Sequence, residues 1–141
     1  MNKKNAEGYL DPTAYEALSN IEEVAAKTRA PNYRPLVYIC SPYAGDVETN
    51  VRGARRYCQF AVEQKCIPIA AHLLFPQFLN DDDDEQRSLG LYMGCVLMGK
   101  CAEVWVFGET VSSGMAKEIK KAQIRGMPIR YFTSDCREVG A

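Results

Sequence analysis

The sequence is poor in most of what a metal-dependent or membrane-bound protein would need. It has one histidine, His72, and although it carries six cysteines (Cys40, Cys58, Cys66, Cys95, Cys101 and Cys136), no two of them stand as C-x-x-C. A structural zinc site is therefore not expected, and neither metal ligands nor a cofactor are assigned. Most of the cysteines fall among apolar neighbours, where a reduced thiol packs as a small hydrophobe. No run approaches the roughly 20 apolar residues of a membrane span, and Lys3 and Lys4 are followed by no apolar stretch of signal length. A cytoplasmic protein without membrane contact is the default expectation. Neither the G-x-x-x-x-G-K-[ST] loop nor the G-x-G-x-x-G turn occurs, so the usual triphosphate and dinucleotide cradles are missing. Lys and Arg number 17 against 18 Asp and Glu. The basic residues are scattered along helices, which argues against a nucleic acid polymer as the main partner.

What is present fits one ordinary α/β domain. The 141 residues are 47% hydrophobic and 25% charged, enough for a packed core. Asp11-Pro12-Thr13 is a helix start signal, and Tyr15, Leu18, Ile21 and Ala25 recur at helical spacing through about Lys27. An N-terminal extension over 1–34 with one helix is predicted, closed by Ala30-Pro31-Asn32. Leu36 to Cys40 is a continuous apolar run bounded by Pro35 and Ser41-Pro42, as expected for a strand covered on both faces. A helix follows from about Glu48 to Gln64, with Val51, Ala54, Cys58, Ala61 and Val62 facing inward.

Ile67 to Ala71 predicts a second strand, whose Pro68 points to an edge position or to the first residue of the strand proper. Leu73 to Leu79 predicts a short helical piece, and the acidic run Asp81 to Glu85 a solvated loop and helix start. That run lacks the alternating ligands and central glycine of a calcium loop. Ser88 to Lys100 is helical and apolar almost all round, which implies the sheet on one side and further cover, such as a second subunit, on the other. Cys101 to Phe107 is a third strand, Gly114 and Gly126 bracket a helix, and Met127 to Phe132 is a fourth strand. Alternating strands and helices predict a three-layer, Rossmann-like or flavodoxin-like α/β domain over 35–134 with four to five parallel strands. Residues 135–141 form a C-terminal tail.

Open parallel sheets bind ligands beyond the carboxyl ends of their strands. The loops there collect Ser41, Pro42, Tyr43 and Gly45, then His72, then Ser112, Ser113, Gly114 and Met115. Small and hydrogen-bonding residues at helix N-termini let a backbone approach an anion or sugar closely. Glu118, four residues after Gly114, is either turned toward this pocket or paired in solvent with Lys117 or Lys121. Ser112 reads as a ligand contact, as a plain N-cap, or as both. His72 and Tyr38 are each open between a site role and a structural one.

The segments Val37-Tyr38-Ile39-Cys40-Ser41-Pro42-Tyr43, Ala102-Glu103-Val104-Trp105-Val106 and Ser112-Ser113-Gly114-Met115-Ala116-Lys117-Glu118-Ile119 resemble, in that order, the nucleoside 2-deoxyribosyltransferase superfamily. The chain looks most like an uncharacterised bacterial and phage branch, named only as a domain of unknown function. The resemblance implies that Glu118, the glutamate of Gly-x-x-x-Glu, is the nucleophile, and that the Tyr38 hydroxyl orients it. It also implies that Ser112 and Gly114 hold the sugar's 5′ end, with serine leaning toward a 5′-monophosphate. The implied reaction is cleavage or exchange of an N-glycosidic bond through a covalent deoxyribosyl-glutamate. The implied partners are a small nucleoside or nucleotide and further copies of the chain in a homo-oligomer.

The sequence departs from that pattern once with chemical consequence. Relatives place an aspartate on the preceding helix to handle the leaving base's proton, and here the chain reads Tyr92-Met93-Gly94-Cys95. The first-strand loop also lacks the arginine of phosphate-using hydrolases. His72 or one of Asp81 to Asp84 is left to act as acid. The alternative is a nucleotide-binding or sensing module of the same fold without turnover.

Overall fold

In the computed structural model, residues 32–140 are described; the expected N-terminal helix lies outside them. Four strands form one parallel sheet in the order β2-β1-β3-β4. They are β1 (Leu36–Cys40), β2 (Ile67–Ile69), β3 (Glu103–Phe107) and β4 (Ile129–Phe132). The connections are helices: α1 (Val47–Glu63) from β1 to β2, α2 (Ala71–Leu74) and α3 (Asp84–Gly99) from β2 to β3, and α4 (Ser113–Ile124) from β3 to β4. This is the expected α/β fold with its parallel sheet.

Side chains alternate across a strand, and the two central strands divide accordingly. Val37 and Ile39 of β1 and Trp105 and Phe107 of β3 bury against Tyr57 and Ala61 of α1. Tyr38 and Cys40, with Val104 and Val106, bury against Met98 of α3 and Met115 and Ala122 of α4. The sheet is thus sandwiched between helical layers, which is why β1 and β3 read as unbroken apolar runs rather than alternating ones. The α1 side is an aromatic stack, with Tyr57 on Phe107 at 4.3 Å and Phe107 on Phe132 at 4.9 Å between ring centroids. Such pairs add stabilisation beyond area burial.

Element ends differ from expectation in physically readable ways. β2 stops at Ile69, where its pairing with Tyr38 ends, and Ala71 already opens α2. Alanine favours helix over strand, so the sheet releases the chain there. β2 is an edge strand, as Pro68 suggested. α3 begins one turn earlier than Ser88, because the Asp83 side chain accepts hydrogen bonds from the Glu85 and Gln86 backbone N–H groups. Its inner side is narrow: Gly94 and Met98 are buried, whereas Leu89, Leu91, Tyr92 and Val96 are exposed.

After β4 the chain turns back. Phe132 bridges Glu138 in antiparallel sense, and the Val139 N–H donates to the Tyr131 carbonyl at 2.8 Å. The Arg130 guanidinium lies 4.9 Å from the Trp105 ring centroid and makes a two-pronged ion pair with Glu138, at 2.9 Å from Nε and 2.7 Å from Nη2. All six cysteines are free thiols, and burial pushes Cys58 and Cys101 up to about 11. Among the described residues no helix is long and apolar enough to cross a membrane.

Candidate functional site

The helix leaving β1 packs on one face of the sheet and the helix leaving β3 on the other. The chain therefore parts between the carboxyl ends of β1 and β3, and a crevice opens there of the type in which doubly wound sheets hold ligands. A cavity of about 270 Å³ fills it. That is room for one small ligand, at the lower end of the roughly 300 to 1,000 Å³ of small-molecule pockets.

Glu118 stands in the wall of this cavity, on the second turn of α4. The helix starts where it does because the Ser112 Oγ accepts from the Met115 N–H at 3.2 Å, fixing the first turn. Tyr38 comes from the middle of β1, and its hydroxyl donates to Glu118 Oε2 at 2.6 Å. That length is typical of a hydroxyl bonded to an ionised carboxylate. The thiol of Cys40, two residues on and facing the same side, donates to the Met115 carbonyl at 3.9 Å.

The electrostatics follow from this packing. Burial raises Glu118 above the usual carboxylate range, while the hydrogen bond from Tyr38 and, less, the nearby Cys40 thiol oppose the rise. Burial and the neighbouring carboxylate push the Tyr38 hydroxyl and the Cys40 thiol far up, so both remain protonated donors near neutrality. The result is a partly desolvated carboxylate, held in place by a neutral donor rather than neutralised by a cation.

α3 closes over this pair. A Cβ on Gly94 would stand 3.3 Å from the Tyr38 hydroxyl and 3.6 Å from the Ala71 Cβ, so only glycine lets the helix approach this closely. Opposite, the Tyr43 ring stacks on His72 with centroids 4.8 Å apart and 22° between planes. The Asn50 side-chain amide donates to the Tyr43 and Ala44 carbonyls at 3.0 and 3.1 Å, which holds the loop carrying Tyr43. His72 is half-buried in α2; burial pushes its imidazole below its ordinary value, against the partial opposition of Asp81.

Of the residues expected at the site, Tyr38, Tyr43, His72 and Glu118 line the cavity, as do Ser112, Ser113, Gly114 and Met115. Glu118 is half-buried and bonded to Tyr38, not paired with a lysine in solvent. Ser41, Pro42 and Gly45 do not line it. Ser41 is buried at the end of β1, and Gly45 has a φ of 95°, turning the chain into α1. The cavity also takes residues that sequence reasoning did not place there. α3 contributes Arg87, Gly90, Leu91 and Gly94, and Phe75 and Lys117 complete the apolar and the cationic side. One signal was available: Gly90 and Gly94, four apart, make a smooth strip on one helix face. Arg87 is already engaged, its Nη2 with Asp84 at 2.9 Å and its Nη1 with the Asp81 carbonyl at 3.4 Å.

Residues 35–132 match a sequence family described as Domain of unknown function (DUF7768). Among solved structures, the chain is similar to a 2-deoxyribosyltransferase from the psychrotolerant bacterium Bacillus psychrosaccharolyticus, with a TM-score of 0.59 and 14% identity over 70% of this chain and 72% of that one. At that identity the likeness is one of fold. No curated protein sequence matches the chain.

Proposed function

The chain belongs to the DUF7768 family, and from that premise we propose that it cleaves or exchanges the N-glycosidic bond of a deoxynucleoside or its 5′-monophosphate, through a deoxyribosyl ester on Glu118. The carrying observation is the 2.6 Å bond from Tyr38 to a half-buried carboxylate that lines the cavity. A carboxylate stripped of much of its water and fixed by a neutral donor is an activated nucleophile. The fold likeness to a 2-deoxyribosyltransferase supports the same reading.

In the proposed reaction a Glu118 oxygen attacks C1′, the C1′–N bond breaks, and its electron pair leaves on the base. Water or a second base then attacks C1′ from the vacated side. Two inversions give net retention. Ser112 and Gly114 take the sugar's 5′ end, where the first N–H groups of α4 and its positive end suit a phosphate. The Ser112 Oγ accepts from Met115 but keeps its own proton to donate. Ser113, Met115 and Lys117 bound that side, and Tyr43 and His72 bound the side for the base. Residues 35–134 carry this chemistry, with 1–34 an extension and 135–141 a tail. Exposed Leu89, Leu91, Tyr92 and Val96 on α3 make self-association into a dimer or higher oligomer the accompanying proposal; a monomer in light scattering would refute it.

A second reading, a nucleotide-binding module without turnover, is favoured by Gly94, since α3 offers the cavity no carboxylate to handle the base's proton. Intact-protein mass spectrometry after incubation with a panel of deoxynucleosides and their 5′-monophosphates separates the two. A deoxyribosyl mass gain in the parent, absent from Glu118→Ala, establishes the covalent route. Ligand binding without adduct or base release in the parent supports the module.

A further inference from the structure

We propose that His72 donates the proton that the departing base needs and takes a proton back from the incoming water, which makes it the general acid and base of the reaction. This rests on the glycosyl-transfer reading above.

An expelled base anion is a poor leaving group unless a proton reaches its ring as the C1′–N bond breaks. The cavity wall therefore needs an acid that can both hold and release a proton near neutrality. Its titratable side chains are few. Tyr38 already gives its proton to the Glu118 carboxylate at 2.6 Å. Glu118 is committed to C1′ and cannot serve both ends of the bond. Arg87 is held by Asp84 and the Asp81 carbonyl, Lys117 bounds the side for the sugar's 5′ end, and Tyr43 offers its ring to the stack on His72. Gly94 offers no side chain, and Asp81 is exposed at the rim.

His72 remains, and its position suits the task. Its ring is held parallel to Tyr43 at 4.8 Å, on the wall where the base would lie. No protein hydrogen bond engages either ring nitrogen among the described residues, so both are available to a ligand. Asp81 on the same rim favours the imidazolium form. In the first step the imidazolium proton passes to a free ring nitrogen of the base, N7 in a purine, while the electron pair of the C1′–N bond leaves on the glycosidic nitrogen. Glu118 forms the C1′–O bond. In the second step neutral His72 accepts a proton from water as its oxygen attacks C1′ and the Glu118–C1′ bond breaks. The enzyme returns to its starting state.

The groups facing His72 set the pH response. They are Tyr43 beside it, Asp81 from the loop before α3, Arg87 from the first turn of α3, Lys117 and Glu118 from α4, and Tyr38 from β1. The active form has His72 protonated and Glu118 ionised. Burial lowers the first from 6.5 and raises the second from 4.5. The two limbs therefore approach each other, and the rate profile is a narrow bell on the acid side of neutrality.

The experiment compares parent, His72→Phe and His72→Asn on 2′-deoxyadenosine and on 7-methyl-2′-deoxyguanosine, whose base leaves without taking up a proton. Phenylalanine preserves the stack on Tyr43. In single-turnover base release, which reports C1′–N cleavage alone, both variants are expected to lose about 10²- to 10⁴-fold more on 2′-deoxyadenosine than on the methylated substrate, and to lose the alkaline limb of the pH profile. Activity on the methylated substrate also shows that the variants are folded. Equal loss on both substrates, or no loss on either, overturns the assignment of His72 while leaving Glu118 in place. A parent that forms no adduct and releases no base even from the methylated substrate overturns the Glu118 reading and this one with it.

Discussion

Replacing Tyr38 by phenylalanine removes one oxygen from a side chain that is 1% exposed and leaves its packing between β3, α3 and α4 otherwise unchanged. The lost oxygen is the one that donates to Glu118 at 2.6 Å. A hydrogen bond to a charged group is worth about 1.5 to 3 kcal/mol. The bond serves the ionised carboxylate, so it contributes stability above the carboxylate's titration and loses it as pH falls through that titration. Tyr38→Phe should therefore unfold more easily than the parent by about 1.5 to 3 kcal/mol near pH 7, in urea melts, with the gap closing at acid pH as Glu118 takes up its proton. The Glu118 carboxyl, followed by infrared difference against Glu118→Gln, should titrate at higher pH in the variant, because a donor that lowered it is gone. Turnover should fall about 10- to 150-fold, the same energy expressed as a rate. An equal loss of stability at both pH values, or an unmoved titration, would refute the idea that the hydroxyl serves an ionised Glu118.

Two further outcomes follow from the same site. Gly94→Ala gains about 0.5 to 1 kcal/mol in helix propensity but sets a Cβ 3.3 Å from the Tyr38 hydroxyl, at an overpacking cost of about 1 to 3 kcal/mol. The net cost of about 0 to 2.5 kcal/mol should lower the melting temperature by no more than about 10 °C, while adduct formation drops by about 10²-fold, as expected when a catalytic pair is displaced by a fraction of an ångström; unchanged adduct formation would mean that α3 yields freely. Glu118→Gln should melt above the parent near pH 7, since burial makes the ionised carboxylate a liability to the fold. A group raised in the folded state costs stability as pH climbs through its titration, so that advantage should disappear at acid pH.

How much of this was legible in the residues depended on what enforces each feature. β1 was readable to its last residue because Pro35 and Ser41-Pro42 bracket a run that two-sided burial makes apolar throughout. The end of β2 was not, because the apolar run continues through Ala71 while the pairing with β1 already ends at Tyr38 and Ile69, a non-local fact. Glu118 and Tyr38 were reached through motif and resemblance; spacing alone left Glu118 between pocket and solvent. Their bond spans 80 residues of sequence, a separation no local pattern encodes. The loop after β1 misled for a related reason. Ser41, Pro42 and Gly45 have the composition of a ligand loop, but they serve burial and the turn into α1, and only Tyr43 and Ala44 of that loop reach the cavity. Gly94 was read as a missing carboxylate, whereas the packing of α3 on Tyr38 gives its missing side chain a positive use.

The turn-back after β4 has a bearing on how copies of this protein can meet. An open sheet ends in two strands whose free N–H and C=O groups invite pairing with another chain. Here the outer side of β4 is taken by Glu138 and Val139 of the same chain, with Arg130 gripping Glu138 to keep them there. At the other border β2 is three residues long and has a proline at its centre, a poor template for a fifth strand. With both borders blunted, neither offers a ready ladder for sheet-to-sheet growth, fibrous or otherwise. The self-association proposed above would fall to the faces of helices, where contacts are set by side-chain shape. Releasing the Arg130 grip would therefore be felt first as a change in solubility, before any change at the distant cavity.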